Sequence, residues 1–301
     1  MMIIDFHAHW WPSDRFVQSR QAWKTFIRGV NKRNYKTADI ELKDEELEEF
    51  FFDPDGAKLL RQMNTAGVDM TVLLPLDWDK VNGAAERNII EQNEAYSQLS
   101  KQYPDKFISF FSIDPERKDA TPLFSTAVKE WGMRGLKLYP PTGFFPDDQC
   151  CSSLYEICLD YGLPVVFHGT TSVLSAISYC HPEGFRRLAK KYPALKIVIA
   201  HAGGLEWHTD AVQACLDYDH VYLDISGFQG ILDPVVFKFA LENMYSNLKS
   251  FEKVLFGTDN PMFNRMCPIK DMIANLKDLN IPEHEKANLL GNTGKNLLGL
   301  S

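Results

Sequence analysis

The chain has 301 residues, 45% of them apolar, and a net charge of −8 at pH 7. That length suits one large α/β domain whose core needs no disulfide staples, and the acidic balance, with no block of basic residues, excludes the electrostatic footprint of a nucleic-acid or membrane-surface binder. No apolar run approaches the roughly 18 residues of a membrane span, no basic and apolar leader opens the chain, and Cys150, Cys151, Cys158, Cys180, Cys215 and Cys267 form no C-x-x-C pair, so a reduced, cytoplasmic protein is expected.

Taken in chain order, short β-rich runs recur. The first is Met2–His9, and Val68–Leu76 follows Ala66-Gly67. Next come Phe107–Ile113, ahead of Asp114-Pro115, and Gly135–Tyr139, stopped by Pro140-Pro141. Pro164–His168 and Lys196–His201 are each followed by glycine-containing turns. Val221–Ser226 precedes Gly227, and Val254–Thr258 precedes Asp259-Asn260-Pro261. Several of these are continuous apolar runs, as strands buried on both faces of a parallel sheet require. Helical periodicity fills the gaps. Gly56–Ala66 has Gly67 as its C′ residue, Glu86–Tyr103 carries apolar residues at helical spacing, and Asp233-Pro234 reads as an N-cap and first-turn pair. Strands alternating with helices predict a (β/α)8 TIM barrel forming a single domain over 1–301. One segment is surplus to the barrel: residues 10–55, between the first strand and the first helix, rich in Trp and Phe and carrying the acidic run Asp44–Glu49. It is read either as packing over the barrel mouth or as a lid that contributes to a substrate pocket.

Barrel active sites lie at the C-terminal strand ends, which converts sequence position into spatial convergence. His7 and His9 alternate at the end of the first strand, so both imidazoles point one way. His168, His201 and Asp259 end the fifth, sixth and eighth runs. Neutral imidazoles with a carboxylate suit Zn²⁺, and also Mn²⁺ or Fe²⁺. One such ion, zinc first, is expected, with a position left for water and with Asp259 accepting that water's proton. His201 is placed to bind the water or polarise a substrate oxygen.

The same residues carry a resemblance. Ile4-Asp5-Phe6-His7-Ala8-His9, Gly135-Leu136-Lys137-Leu138, Val165-Val166-Phe167-His168, Ala200-His201-Ala202-Gly203-Gly204, Phe256-Gly257-Thr258-Asp259 and the closing stretch Gly291–Gly299 together resemble the amidohydrolase superfamily. The nearest branch is the one that includes aminocarboxymuconate-semialdehyde decarboxylase. The resemblance implies that His7, His9, His168 and Asp259 hold the metal and that His201 is a catalytic or supporting histidine. Two departures follow. The arginine with which the muconate decarboxylase positions a substrate carboxylate has no counterpart near Phe50-Phe51-Phe52-Asp53-Pro54. The glutamate that resorcylate-type decarboxylases place first in the H-x-H is His7 here. Hydrolysis of an ester, lactone or amide-like bond is therefore the first expectation and non-oxidative decarboxylation the alternative. A phosphoesterase or a non-catalytic metal-binding protein ranks behind both.

Lys137 has three readings: a carboxylated metal bridge as in dinuclear relatives, a substrate anchor, or a member of a barrel ion pair. Tyr139, Arg265 and Trp10 are further substrate-binding candidates, with Arg134 and Trp207 behind them. The expected partner is a small molecule, with no nucleic acid and no membrane. The resemblance implies oligomers, a homodimer first.

Overall fold

The computed structural model describes residues 1–35, 43–175 and 178–300. Its strands are β1 (Ile4–Ala8), β2 (Met70–Leu73), β3 (Phe107–Ser109), β4 (Phe111–Ser112), β5 (Leu136–Leu138), β6 (Val165–Phe167), β7 (Ile197–Ile199), β8 (Val221–Asp224) and β9 (Val254–Leu255). All pair in parallel with their sequence neighbours, as β1-β2-β3 and as β4 through β9. The run Phe107–Ile113, expected as one strand, is broken at Phe110, whose N–H donates to Leu73 O at 3.0 Å while that of Phe111 turns to Gly135 O at 2.9 Å. The other seam is tied by Phe6 N–H to Phe256 O at 2.8 Å and His9 N–H to Asn260 O at 2.7 Å. The two sheets thus wrap around a common interior, and the architecture is the expected TIM barrel.

Alternation along each strand divides the core. Leu136, Leu138, Val165, Phe167, Ile197 and Ile199 pack outward with helix residues such as Met63, Phe124, Leu154 and Phe185. Val72, Val166, Val198 and Leu255 fill the interior, where Phe6, Leu297 and Leu298 join them. Local signals set the helix ends. Asn88 caps Ile89–Gln102 in a capping box with Glu91, Asp233 caps Pro234–Leu248, and Gly67 closes Ala57–Ala66 in the left-handed region with φ 73°.

The segment after β1 forms a turn at Asp14–Phe16 and helices at Arg20–Tyr35 and Asp44–Phe50. Trp11, Trp23, Phe51 and Phe52 from this segment cluster with Leu76, Trp78 and Tyr139 of the barrel. Trp23 is fully buried. At ~25 cal/mol per Å², an indole of this kind contributes about 4–6 kcal/mol of transfer free energy, enough to hold the insertion against the mouth. Among the described residues, no helix is long and apolar enough to cross a membrane.

Candidate metal centre

Parallel pairing puts the C-terminal ends of all the strands on one side, and the predicted donors meet there. The β1–β2 register slips between Asp5 and Ala8. Such an irregularity re-aims side chains, and here consecutive residues serve different ends: Phe6 fills the interior and His7 faces the mouth. Asp5 fastens this stretch to the last strand, accepting from Thr258 Oγ1 at 2.6 Å and Thr258 N–H at 2.9 Å. Burial pushes its carboxyl up to about 7. Gly257 is required beside it, because a Cβ there would stand 2.8 Å from His7 Cβ.

His7 Nδ1 lies 2.8 Å from Asp224 Oδ2, and His9 Nδ1 lies 2.6 Å from Leu74 O. A carbonyl and a carboxylate only accept, so each Nδ1 carries a proton, and the neutral His7 ring presents its Nε2 lone pair. Both Nε2 atoms face Asp259 Oδ1, at 3.8 Å from His7 and 3.0 Å from His9. His7 Nε2 is buried without a hydrogen-bond partner. A buried, unpartnered imidazole nitrogen aimed with His9 Nε2 at one carboxylate oxygen fits a cation site, and the partners on the far nitrogens are those that orient metal-ligating histidines.

His168 and His201 adjoin this group. His201 Nδ1 is 3.0 Å from Ser226 O, which fixes that tautomer, and its Nε2 is 3.1 Å from His168 Nδ1. His168 then donates, leaving its own Nε2 buried and unpartnered. The His7 and His201 rings are 5.1 Å apart, and those of His168 and His201 are 4.9 Å apart. Two donor groups that share His7 are therefore tight, His7 with His9 and Asp259 and His7 with His201 and Asp224; in the second, Asp224 already accepts the His7 Nδ1 proton, and His168 joins through His201. Asp259 and His201 hold φ of 52° and 59°, and Ala202, without a polar side chain to ease it, holds 42°. Left-handed backbone in such residues is strain retained by its surroundings.

Burial sets the charge states. It drives His7 down to about 3 and pulls His168 and His201 below their usual value, so all three are neutral. Burial alone would raise the Asp224 carboxyl, but its interactions with His7 outweigh that and hold it well below the usual carboxylate range. Neutral imidazoles beside ionised carboxylates are the donor set a divalent ion takes. Burial also brings the Lys137 ammonium down to about 8.

A cavity opens above these groups. His7, His9, Lys137, His168, His201 and Asp259 line its inner end, and Trp11, Phe26, Leu76, Trp78, Tyr139 and Phe263 are among its walls. Lys137 and Tyr139 are thus where the sequence places them, and the Tyr139 hydroxyl sits 2.8 Å from Ser172 Oγ.

Other candidates are corrected. Trp10 turns outward among helix residues, its Nε1–H donating to Asp53 O at 2.6 Å and its backbone N–H to the Tyr96 hydroxyl at 2.8 Å. Trp11 takes the cavity position instead. Arg265 is spent on Glu46 at 3.1 Å and lies over the Phe50 ring, pinning the insertion rather than a substrate. Arg134 donates to Leu298 O at 2.7 Å, and Trp207 packs on His181, so neither lines the cavity. Sequence reasoning missed Asp224 and Ser226. Asp224 accepts His201 N–H at 3.2 Å and Ser226 N–H at 2.9 Å besides serving His7, and the Ser226 hydroxyl donates to it. The available signal was a lone carboxylate inside the run Val221–Ser226.

The fold and the site together define a metal-type TIM-barrel enzyme scaffold. The amidohydrolase family model matches residues 4–300, and the chain belongs to that family. No curated protein matches. Among solved structures, it is similar to an uncharacterised TIM-barrel protein from Bordetella bronchiseptica (24% identity, 99% of each chain covered, TM-score 0.75). It is also similar to a probable 2-pyrone-4,6-dicarboxylic acid hydrolase from Acinetobacter baumannii with citric acid bound (16% identity, 99% of this chain and 100% of that one, TM-score 0.66). A third is 5-carboxyvanillate decarboxylase from Novosphingobium aromaticivorans, complexed with manganese (15% identity, 99% and 96% covered, TM-score 0.69). At these identities the likeness establishes the fold.

Proposed function

We propose that this chain is a metal-dependent hydrolase of an ester, lactone or amide-like C–O or C–N bond in a small, ring-bearing substrate. The carrying observation is the convergence of His7 Nε2, His9 Nε2 and Asp259 Oδ1 at the inner end of an aromatic-walled cavity. These three are the proposed metal ligands, with His168 as the fourth donor. Zinc suits the set best, and manganese or iron would also fit. When bound, a divalent ion supplies a Lewis acid and an acidified water. Asp259 accepts the proton of the attacking water and returns it to the leaving group. His201, held by Ser226 O, orients the substrate oxygen. Asp224 fixes the His7 tautomer. The walls of Trp11, Phe26, Trp78 and Tyr139 receive the ring and exclude bulk water.

A second reading is non-oxidative decarboxylation. It is favoured by the buried Lys137 ammonium, which suits a substrate carboxylate, and by the likeness to a 5-carboxyvanillate decarboxylase. It is second because His7 stands where resorcylate-type decarboxylases carry glutamate, and because no arginine lines the cavity among the described residues.

Turnover of aryl esters, lactones, anilides and hydroxybenzoates in ¹⁸O-water, with added Zn²⁺ or Mn²⁺, tests the assignment. One ¹⁸O entering the product acid is the hydrolytic result. CO₂ release without such incorporation transfers the assignment to decarboxylation. Turnover unaffected by chelator would overturn both.

A further inference from the structure

We propose that Arg117, which lies outside the cavity, positions the Trp78 wall and thereby sets the cavity's preference for flat rings over saturated ones. The inference rests on the ring-receiving cavity proposed above and goes further by naming the residue that holds its wall. Trp78 is buried and lines the cavity. Its indole is the hub of the wall. Ring centroids lie 5.0 Å away at Phe26, 5.9 Å at Trp23 and 5.9 Å at Tyr139, with interplanar angles of 75°, 68° and 86°. Trp23 and Phe26 come from the insertion helix Arg20–Tyr35, and Tyr139 follows β5, so the tilt of one ring governs the fit between insertion and barrel.

Local structure does not fix that tilt. Trp78 precedes a single helical turn, Asp79–Asn82, with φ −131°, ψ 16° and no side-chain cap. The constraint comes from its two neighbours. Arg117 Nε and Nη2 donate to Asp77 Oδ2 and Oδ1 at 2.7 and 2.8 Å, and Nη2 also donates to Asp79 Oδ2 at 3.0 Å. One guanidinium thus spans the residues before and after the tryptophan. The clamp has an anchor as well. Asp77 N–H donates to Ser112 Oγ at 3.2 Å, and Asp77 Oδ2 accepts Asp114 N–H at 2.7 Å, which ties it to the end of β4. The Asp77 side chain is only 2% exposed. A buried ion pair is weak evidence for stability, and its best-attested use is to select one arrangement among several. A planar fork suits that use, whereas an ammonium is a point charge without fixed geometry. The arrangement selected here is that of the residue between the two aspartates.

The test uses the full chain labelled with 5-fluorotryptophan, the Trp78 resonance being assigned through Trp78→Phe. Wild type should bind benzamide about two- to tenfold tighter than cyclohexanecarboxamide, the range of an aromatic contact beyond its buried area. Arg117→Lys keeps the charge and loses the fork. It should move the Trp78 ¹⁹F resonance and abolish the benzamide preference, with zinc affinity unchanged. If the lysine variant does not fold, the double variant Asp77→Asn/Arg117→Gln, which leaves no charge buried at Asp77, should do the same. The proposal is overturned if the Trp78 resonance stays in place, or if it moves and the preference survives. A parallel fall in zinc affinity also overturns it, because a loosened barrel mouth would then account for both. Equal binding of the two amides by wild type removes the ring-receiving wall and the proposal with it. Binding is read without turnover, so an Arg117-dependent preference in a chain that hydrolyses nothing would sink the reaction and spare the clamp. A hydrolase whose Arg117→Lys variant keeps the preference would do the reverse.

Discussion

Asp224→Asn isolates the orientation of His7 from its identity. In wild type, Asp224 Oδ2 accepts from His7 Nδ1 at 2.8 Å, while Oδ1 accepts from the N–H groups of His201 and Ser226 at 3.2 and 2.9 Å. An asparagine has one acceptor and one donor end. With its NH₂ toward His7, it meets Nδ1–H donor to donor and forces the proton to Nε2, the atom that faces Asp259. With its oxygen toward His7, the NH₂ collides with two backbone donors. The first arrangement removes the lone pair offered to the cation, and the second keeps it only by setting a donor against the His201 and Ser226 N–H groups, with no change of side-chain volume. Loss of such an orienting partner costs about 10- to 100-fold in metal affinity, or roughly 1.4–2.7 kcal/mol. Competition against a chromophoric chelator measures it, and ¹⁵N shifts of the chelator-treated protein report the His7 tautomer. Unchanged zinc affinity together with an intact Nδ1–H tautomer would refute the reasoning, because the orienting bond would then be dispensable.

Two further outcomes follow from the site. Asp259→Asn should reduce kcat by about 10²-fold or more, the scale of a lost general base, with little change in the urea midpoint, because asparagine tolerates the φ of 52° at this position; activity within tenfold of wild type would remove Asp259 from proton transfer. Lys137 should impose a pH signature on stability: its folded-state value of about 8 lies below the ordinary 10.5, so between those pH values the unfolded chain holds a proton that the folded chain has shed. Its contribution to stability therefore rises with pH across that window, and its cost is fully present below pH 8. Urea unfolding should show Lys137→Met ahead of wild type at pH 7.5, with the gap narrowing by pH 9.5; a constant gap would contradict it.

The parts of this molecule legible in the sequence are those where one side of the fold concentrates unusual chemistry. Apolar strands that stop at His7, His9, His168, His201 and Asp259 are readable because parallel pairing assigns all C-terminal ends to one mouth. The helix ends at Gly67, Asn88 and Asp233 depend on local capping. Trp10 was readable and misread: it shares parity with Ala8, so the alternation that turns His9 inward turns Trp10 outward. Arg265 was not readable in this way. Its partner Glu46 lies in an acidic run more than two hundred residues earlier, and only the folded insertion brings them to 3.1 Å. The register slip between Asp5 and Ala8 is likewise set by the neighbouring strand and leaves no mark in the local pattern.

The donors lie across the seam where the first strand meets the last. Asp259 N–H donates to His7 O at 2.7 Å, and Asp5 binds Thr258, so the backbone contacts that close the barrel also set the spacing of the His7, His9 and Asp259 side chains. Gly257 keeps that approach close enough. A cation held there would bridge the two ends of the strand series, and its binding free energy would add to closure. Such an ion would account for the left-handed backbone at Asp259 and the uncompensated lone pair of His7 persisting together. Each is unfavourable alone, and both would be met by one bound ion at the point where the seam must hold.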